Sequence, residues 1–192
     1  TDVPLKFDIN GTATWTLNYV DAGKLKLDAR IVLPSDGVNP GATLDAFSND
    51  FISKPAGLCV TAPEANSDCA SGDATCSPFK KADENFILKV EAMAWQNDTE
   101  INTDFCDNTI TPNFVLAGLS ITHNRVAPDP GVDGNRGGVG SISIPSSDAP
   151  FTIPIIDGTA VVTDQKLSEV GVFTLTVTTP AYFGETIAAS TS

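Results

Sequence analysis

The stretch Asp21-Ala22-Gly23-Lys24-Leu25-Lys26-Leu27 is repeated in form near the end of the chain, as Glu169-Val170-Gly171-Val172-Phe173-Thr174-Leu175. Each copy has an acidic residue two positions before a glycine, and apolar residues at alternate positions after it. A Gly-Thr-Ala triplet precedes both copies, at residues 11–13 and 158–160, and the two triplets lie 147 residues apart. Self-similarity at this distance predicts consecutive domains rather than the short turns of a solenoid.

Two segments around the first copy show period-two alternation of apolar and polar residues. The alternation runs through residues 13–19 and again through residues 24–31. It predicts two half-buried antiparallel strands, and Asp21-Ala22-Gly23 between them supplies turn-forming residues. We therefore expect the following side chains to point inward: Ala13, Trp15, Leu17, Tyr19, Leu25, Leu27, Ala29 and Ile31.

The rest of the chain predicts further strands and no convincing helix. A long alternating strand is expected at 85–95, after a polar loop at 63–82. A second long loop is expected at 124–140, which is rich in glycine. The chain is therefore predicted to be all-β. Shorter strands are expected at 45–53, 58–62, 113–122, 141–144, 151–155, 159–163 and 172–178.

Composition limits the classes of function. Hydrophobic residues make up 41% of the chain and charged residues 18%, with 15 Gly and 13 Pro, which favours an all-β protein with many loops. The 11 Lys and Arg against 24 Asp and Glu give a net charge of −13. Because nucleic acids and anionic membranes are bound through basic patches, this deficit argues against both as partners.

The four cysteines, Cys59, Cys69, Cys76 and Cys106, contain no CxxC pair. Their even number in a turn-rich acidic chain predicts two disulfides and therefore an oxidising compartment outside the cytoplasm. The short Cys69–Cys76 spacing favours a local pair, which leaves Cys59 to pair with Cys106, although four cysteines allow three connectivities.

A catalytic centre is not expected. The chain has a single histidine, His123, and no Gly-x-Ser-x-Gly segment, so neither a thiol nor a serine nucleophile has an evident partner. We expect His123 to lie at the surface or at a strand end, and we expect the protein not to be an enzyme.

The acidic-x-Gly-x-apolar-x-Leu pattern of both copies resembles the Asp-x-Gly-x-Tyr-x-Cys corner of immunoglobulin-like sandwiches, where strand E turns into strand F. Leu25 or Phe173 takes the tyrosine position, and Leu27 or Leu175 takes the cysteine position. This departure removes the inter-sheet disulfide and keeps apolar side chains. Ig-like repeats of bacterial surface adhesins are similar. The resemblance implies Ig-like antiparallel β-sandwich modules.

Several motifs occur in order over about 135 residues. They are Pro55–Cys59, Pro63–Ala65, Cys69–Cys76, Phe105–Asn108 followed by Thr111–Phe114, and Val170–Leu175 with Pro180–Glu185. Together they resemble the C-terminal region of the MshQ family, large secreted proteins encoded with the mannose-sensitive haemagglutinin type IV pilus of Gram-negative bacteria. The resemblance implies an extracellular or cell-surface location and a structural or adhesive function. It implies pilus proteins, cell-surface proteins, or host and environmental surfaces as partners, and it supplies no catalytic residues.

Turn-forming residues mark a domain junction at Lys54-Pro55-Ala56-Gly57. We interpret residues 1–54 as the C-terminal strands of a partial Ig-like module, and residues 55–192 as a fuller Ig-like sandwich with long loops. The first segment has three or four predicted strands and no cysteine, so we do not expect it to fold independently. Its apolar residues then need cover from the second module or from another copy of the chain.

A glycan- or calcium-binding module is the alternative, using the loops 96–108 and 124–140. Asp129, Asp133 and Asn135 place two carboxylates and an amide among glycines, although the alternate spacing of an EF-hand is missing. Trp95 ends its predicted strand beside polar residues and is a candidate for sugar stacking. The simpler interpretation is that the acidic loops are solvated and that the protein has no cofactor.

Overall fold

The computed structural model describes residues 5–96, 105–128, 135–137, 144–145 and 151–191. Side chains are described for these residues except 135–137, 144–145, 151–154 and 190–191. Strands and turns account for all regular structure in these ranges, and they contain no helix that could cross a membrane. The all-β prediction is confirmed.

Four short strands belong to the part of the chain before residue 54, and nine to the part after it, within the described ranges. The first four are β1 (Gly23–Leu25), β2 (Asp28–Leu33), β3 (Ala42–Phe47) and β4 (Phe51–Ser53). The other nine are β5 (Gly57–Thr61), β6 (Phe86–Met93), β7 (Leu116–Ala127), β8 (Asn135–Gly137), β9 (Ile144–Pro145), β10 (Phe151–Ile155), β11 (Thr159–Leu167), β12 (Val172–Thr178) and β13 (Ala189–Thr191).

The strands after residue 54 form two sheets that share one apolar core. One sheet has the order β13-β5-β6-β11-β8-β9 and the other β10-β7-β12. All neighbours are antiparallel except β5 and β13, which run parallel. The core cluster draws on both sheets, as an Ig-like sandwich requires. Its buried members include Leu58, Val60, Leu88, Val90, Ala160 and Val162 from the first sheet, and Leu119, Ile121, Ile155 and Val177 from the second.

Strand β6 shows how the sequence produces this packing. Its even-numbered residues Phe86, Leu88, Val90 and Ala92 are buried, while Ile87, Lys89 and Glu91 between them are half-buried. The period-two alternation predicted for 85–95 therefore places one face in the core. Because β6 lies between β5 and β11, both of its edges are also paired.

The sequence repeat is also a repeat of backbone conformation. Gly11 and Gly158 have φ of +76° and +74°, and Gly23 and Gly171 have φ of +154° and +155°. All four values lie in a region that side chains with a Cβ rarely adopt. The two copies therefore share the geometry of both glycine positions.

The segment before residue 54 departs from its predicted strands. Residues 13–19 form no strand, and Trp15, Leu17 and Tyr19 are 48%, 52% and 39% exposed, so that prediction was wrong. The equivalent strand β11 is paired with β6, whereas 13–19 have no strand beside them among the described residues. Without a partner for its backbone groups, an alternating segment does not become a strand.

The predicted strand at 24–31 is divided into β1 and β2, which pair with β4 and β3. The division falls at Leu27, whose backbone nitrogen donates to Ser48 Oγ at 2.9 Å, while the Ser48 nitrogen donates to the Leu27 oxygen. Leu25 and Leu27 are half-buried, but Ala29 and Ile31, expected inside, are exposed. The corner leucine of the second copy, Leu175, is half-buried like Leu27 and packs against the core.

The predicted strand at 45–53 is divided between β3 and β4, and the region around 124–140 also differs from expectation. Strand β7 continues to Ala127 and β8 covers Asn135–Gly137, so the predicted loop at 124–140 is wrong at its start and interrupted. His123 lies within β7, is 6% exposed and is paired with Leu175 of β12, which corrects its predicted surface or strand-end position. Because β7 pairs with β12 as far as Ala127, β7 extends beyond the residues that its alternation alone predicted.

Candidate functional site

The two disulfides connect the cysteines that the sequence favoured. Cys59 is joined to Cys106 and Cys69 to Cys76, and no free cysteine is present. Cys59 lies in β5 and packs with Met93 and Phe105 in a small buried cluster beside the main core. A side chain at Gly57 would collide with the Phe105 ring, so the glycine permits this close packing.

The loop closed by Cys69 and Cys76 is organised by one carboxylate. Asp73 Oδ1 accepts hydrogen bonds from the Thr75 hydroxyl at 2.6 Å, the Thr75 nitrogen at 2.8 Å and the Ser71 hydroxyl at 3.1 Å. These hydrogen bonds lower the pKa of Asp73, and the bond from the Thr75 hydroxyl has the largest effect. The loop is therefore held in one shape by a disulfide and an ordered turn.

A groove of about 770 Å³ lies between this loop and strand β12. Val60, Leu88, Phe173 and Leu175 contribute apolar surface to it. Its polar residues include Glu64 and Asp68, and its other lining residues are Thr61, Ala62, Pro63, Ser67, Cys69, Gly72, Val126, Val172 and Thr174. The lining combines apolar side chains with two carboxylates, and it contains no histidine or free thiol.

Glu64 is fixed at this groove by two contacts. Its Oε1 lies 2.6 Å from Lys80 Nζ, and its Oε2 accepts a hydrogen bond from the Ile87 nitrogen at 2.8 Å. Both contacts lower the pKa of Glu64 below its usual value, and the contact with Lys80 has the larger effect. Since Ile87 lies in β6, Glu64 ties the start of the 63–82 loop to the central strand of the larger sheet.

A set of polar contacts joins the two parts of the chain. The Asp21 carboxylate accepts hydrogen bonds from the Asn113 nitrogen at 3.0 Å and from Asn113 Nδ2 at 2.7 Å. Ala22 is 1% exposed and belongs to the core cluster of the second part. The Ser53 hydroxyl donates to the Asp21 carbonyl at 2.7 Å. The Asp21–Gly23 corner is therefore inserted into the second sandwich.

Further contacts extend this junction. Tyr182 packs on Phe114 with ring centroids 4.8 Å apart, and burial, followed by the negative charge of Asp21, raises its pKa. Lys54 Nζ lies 3.3 Å from Glu185 Oε2 and donates to the Thr186 carbonyl at 3.2 Å. The junction thus joins the chain up to Lys54 to both the 113–114 region and the 182–186 region.

The weaker predicted sites are not brought together. Trp95 follows β6 and is 59% exposed. Asp129 and Asp133 lie outside the described residues, and the Asn135 side chain is not described. Across the described ranges, no three His, Cys, Asp or Glu side chains are grouped as metal ligands. The roles of these residues stay predictions.

Sequence reasoning missed Asn113 and the groove. It interpreted Asp21 only as a corner residue, and nothing near Asn113 marks it as a partner for a residue 92 positions away. The Thr-Pro-Asn-Phe segment at 111–114 contributes to the sequence prediction only through its resemblance to the MshQ family. Contacts of this separation carry no local periodic signal.

Comparison with known proteins gives two matches, both to parts of one family. Residues 1–46 match the Domain of unknown function (DUF6701), first Ig-like domain. Residues 54–153, which are 100 of the 192 residues, match the second domain of DUF6701. No curated protein and no solved structure matches the chain. The chain belongs to the DUF6701 family, whose first, Ig-like domain matches before residue 47 and whose second domain matches after residue 53.

Proposed function

We propose that this chain is a non-catalytic structural and adhesive module of a secreted, pilus-associated surface protein of a Gram-negative bacterium. The Ig-like family membership and the two disulfides are compatible with an exported structural module. The ordered motifs that resemble the MshQ family favour a location at the bacterial surface and an association with the pilus.

The observation that carries the structural part is the inserted corner at Asp21 and Ala22. Interfaces between domains of one chain are commonly small and polar. Two modules joined only by a flexible linker are therefore expected to rotate relative to each other. Here a buried alanine and a two-bond carboxylate contact hold the first segment against the second. A fixed orientation between neighbouring modules suits a protein that projects a binding surface away from a cell.

The proposal is tested by cosedimentation of the fluorescently labelled 192-residue chain with isolated type IV pili. We expect the chain to sediment with pili and to be displaced by excess unlabelled chain. Flagella from the same cells serve as a filament control, and the chain should not cosediment with them. Absence of displaceable binding would rule out the pilus as a direct partner.

Glycan recognition is a second candidate because Trp95 is largely exposed just after the buried strand β6. Exposed indole rings stack on sugar faces. A glycan array probed with the chain and with Trp95→Ala separates the two functions, since a Trp95-dependent signal would favour sugar binding. Calcium, the remaining alternative, would raise the melting temperature reversibly, and chelation would abolish the increase.

A further inference from the structure

The turn that precedes the first Gly-Thr-Ala triplet contains the only Asn-Gly dipeptide of the sequence, Asn10-Gly11. The Gly11 nitrogen donates to the Asp8 carbonyl oxygen at 3.1 Å, and Gly11 has a φ of +76°, so Asp8–Gly11 is a hydrogen-bonded β-turn. Residues 5–12 are all exposed, and a Cβ added at Gly11 would meet nothing within 4 Å. The space around the dipeptide is therefore open.

An open Asn-Gly dipeptide can react with itself. Glycine has no side chain to obstruct the approach of its nitrogen to the preceding side chain. The Gly11 nitrogen bonds to Asn10 Cγ, the bond between Cγ and Nδ2 breaks, and ammonia leaves with the proton that the Gly11 nitrogen loses. Water then opens the resulting succinimide ring at either of its carbonyl carbons. The products at position 10 are aspartate and isoaspartate.

The Asp8 carboxylate restrains the peptide unit that must move in this reaction. Asp8 Oδ1 accepts hydrogen bonds from the Asn10 nitrogen at 2.9 Å and the Thr12 nitrogen at 2.8 Å, which lie on either side of the Asn10-Gly11 peptide bond. The bond from Thr12 has the largest effect on the pKa of Asp8 and lowers it, so the carboxylate is ionised at neutral pH. Its charge also opposes the negative charge that develops during attack on Cγ.

The second copy of the repeat has the same turn in a packed form. At the 147-residue offset, Asn10-Gly11 corresponds to Asp157-Gly158. The Gly158 nitrogen donates to the Phe114 carbonyl oxygen at 2.9 Å, and a Cβ added at Gly158 would lie 2.5 Å from the Thr111 oxygen. An Asp-Gly dipeptide forms the same succinimide with loss of water, but this nitrogen is held in a hydrogen bond to the core. The two copies therefore differ in their freedom to react.

We propose that Asn10-Gly11 is a site of spontaneous covalent modification, which converts to aspartate and isoaspartate at a rate limited by the Asp8 carboxylate. Isoaspartate inserts an extra carbon atom into the main chain, so the hydrogen bonds between Asp8 and Thr12 no longer form together. The conversion also places a second negative charge beside Asp8. The first turn of the repeat is thereby loosened with time, while the second turn keeps its structure.

Peptide mapping of the aged 192-residue chain tests the site. Trypsin releases residues 7–24, which contain both Asn10 and Asn18. We expect aspartate and isoaspartate to accumulate at position 10, and to do so faster at mildly alkaline pH because the Gly11 nitrogen must lose its proton. Asn18 precedes the bulky Tyr19 and should stay unchanged in the same peptide. The tryptic peptide 137–166 should contain no isoaspartate at Asp157.

Variants of Asp8 test the restraint. Asp8→Ala removes two hydrogen bonds and a charge, so it should speed the conversion about tenfold. Asp8→Asn keeps an acceptor oxygen and should react more slowly than Asp8→Ala. Asn10→Gln keeps the amide but closes a ring much less readily, so it should remove the signal. These side chains are exposed, and the variants should keep the parent melting temperature.

Two outcomes would overturn the proposal. The first is a chain in which position 10 stays asparagine while a synthetic peptide of residues 5–14 converts under the same conditions. The second is conversion of Asp8→Ala and the parent chain at the same rate, which would remove the role of the Asp8 carboxylate.

Discussion

The Asp21 carboxylate accepts two hydrogen bonds from Asn113, one from the Asn113 backbone nitrogen at 3.0 Å and one from Asn113 Nδ2 at 2.7 Å, although the two residues are 92 positions apart. The pair places the repeated corner against the segment that leads into Phe114, a fully buried core residue. Orientation of the two parts of the chain therefore depends on a contact that can be removed without emptying the core.

Removal of the Asp21 carboxylate tests this contact. We expect Asp21→Ala to lower the free energy of unfolding by about 1 kcal/mol in urea denaturation, which is below the range of about 1.5–3 kcal/mol for charged hydrogen bonds because Asn113 is exposed. Asp36→Ala is the matched control, since its carboxylate bonds to the nearby Val38 and Asn39. A double-mutant cycle with Asn113→Ala should show coupling, and strict additivity would contradict the contact.

Enlarging Ala22 tests the insertion of the corner into the core. Ala22→Leu should destabilise the chain by about 1–3 kcal/mol, because the added methylenes have no space in a packed core. Ala29→Leu makes the same change on the exposed face of β2 and should have an effect within about 0.5 kcal/mol. Equal effects of the two variants would show that Ala22 is not packed against the second sandwich.

Glu64 should make stability depend on pH in the acidic range. Its pKa is lower in the folded chain than the usual 4.5, so its contribution is complete above pH 4.5 and is lost as pH falls through the folded pKa. Glu64→Gln should lower the melting temperature at neutral pH and converge with the parent at low pH. Glu84→Gln, whose carboxylate is 4.0 Å from the same Lys80, should show a smaller difference. A pH-independent difference for Glu64→Gln would exclude the ionic origin.

The two disulfides should contribute unequally. Cys59 and Cys106 are 47 residues apart and Cys69 and Cys76 are seven apart. Chain-entropy arguments give about 4 kcal/mol for the longer loop and about 2 kcal/mol for the shorter. The Cys59→Ala/Cys106→Ala variant should therefore melt well below Cys69→Ala/Cys76→Ala. The reverse order would show that native-state effects outweigh loop closure here.

Strand β6 and residues 13–19 show how far the sequence predicts the fold. Both alternate apolar and polar residues, yet β6 is a buried central strand and 13–19 form no strand. Alternation reports which side chains could share a face, while strand formation also requires a neighbour for the backbone groups. The presence of that neighbour is not encoded in the segment itself.

Local features were predictable because their causes are local. The glycine corners follow from backbone conformations that favour glycine, and the Cys69–Cys76 pair lies within one loop. The candidate site was harder to predict, since the Asp21–Asn113 contact and the groove combine residues far apart in the chain. The burial of His123 within β7 likewise depends on the β12 strand beside it.

The parallel pairing of β5 with β13 has a mechanical consequence. These are the first and last strands of the described part of the second sandwich, and Leu58 lies beside Ala189 and Val60 beside Thr191. Tension applied through the chain at its two ends pulls neighbouring parallel strands in opposite directions along their length. Their hydrogen bonds are then loaded together in shear, rather than opened one after another as in a zipper. This arrangement gives the second sandwich resistance to stretching along its length.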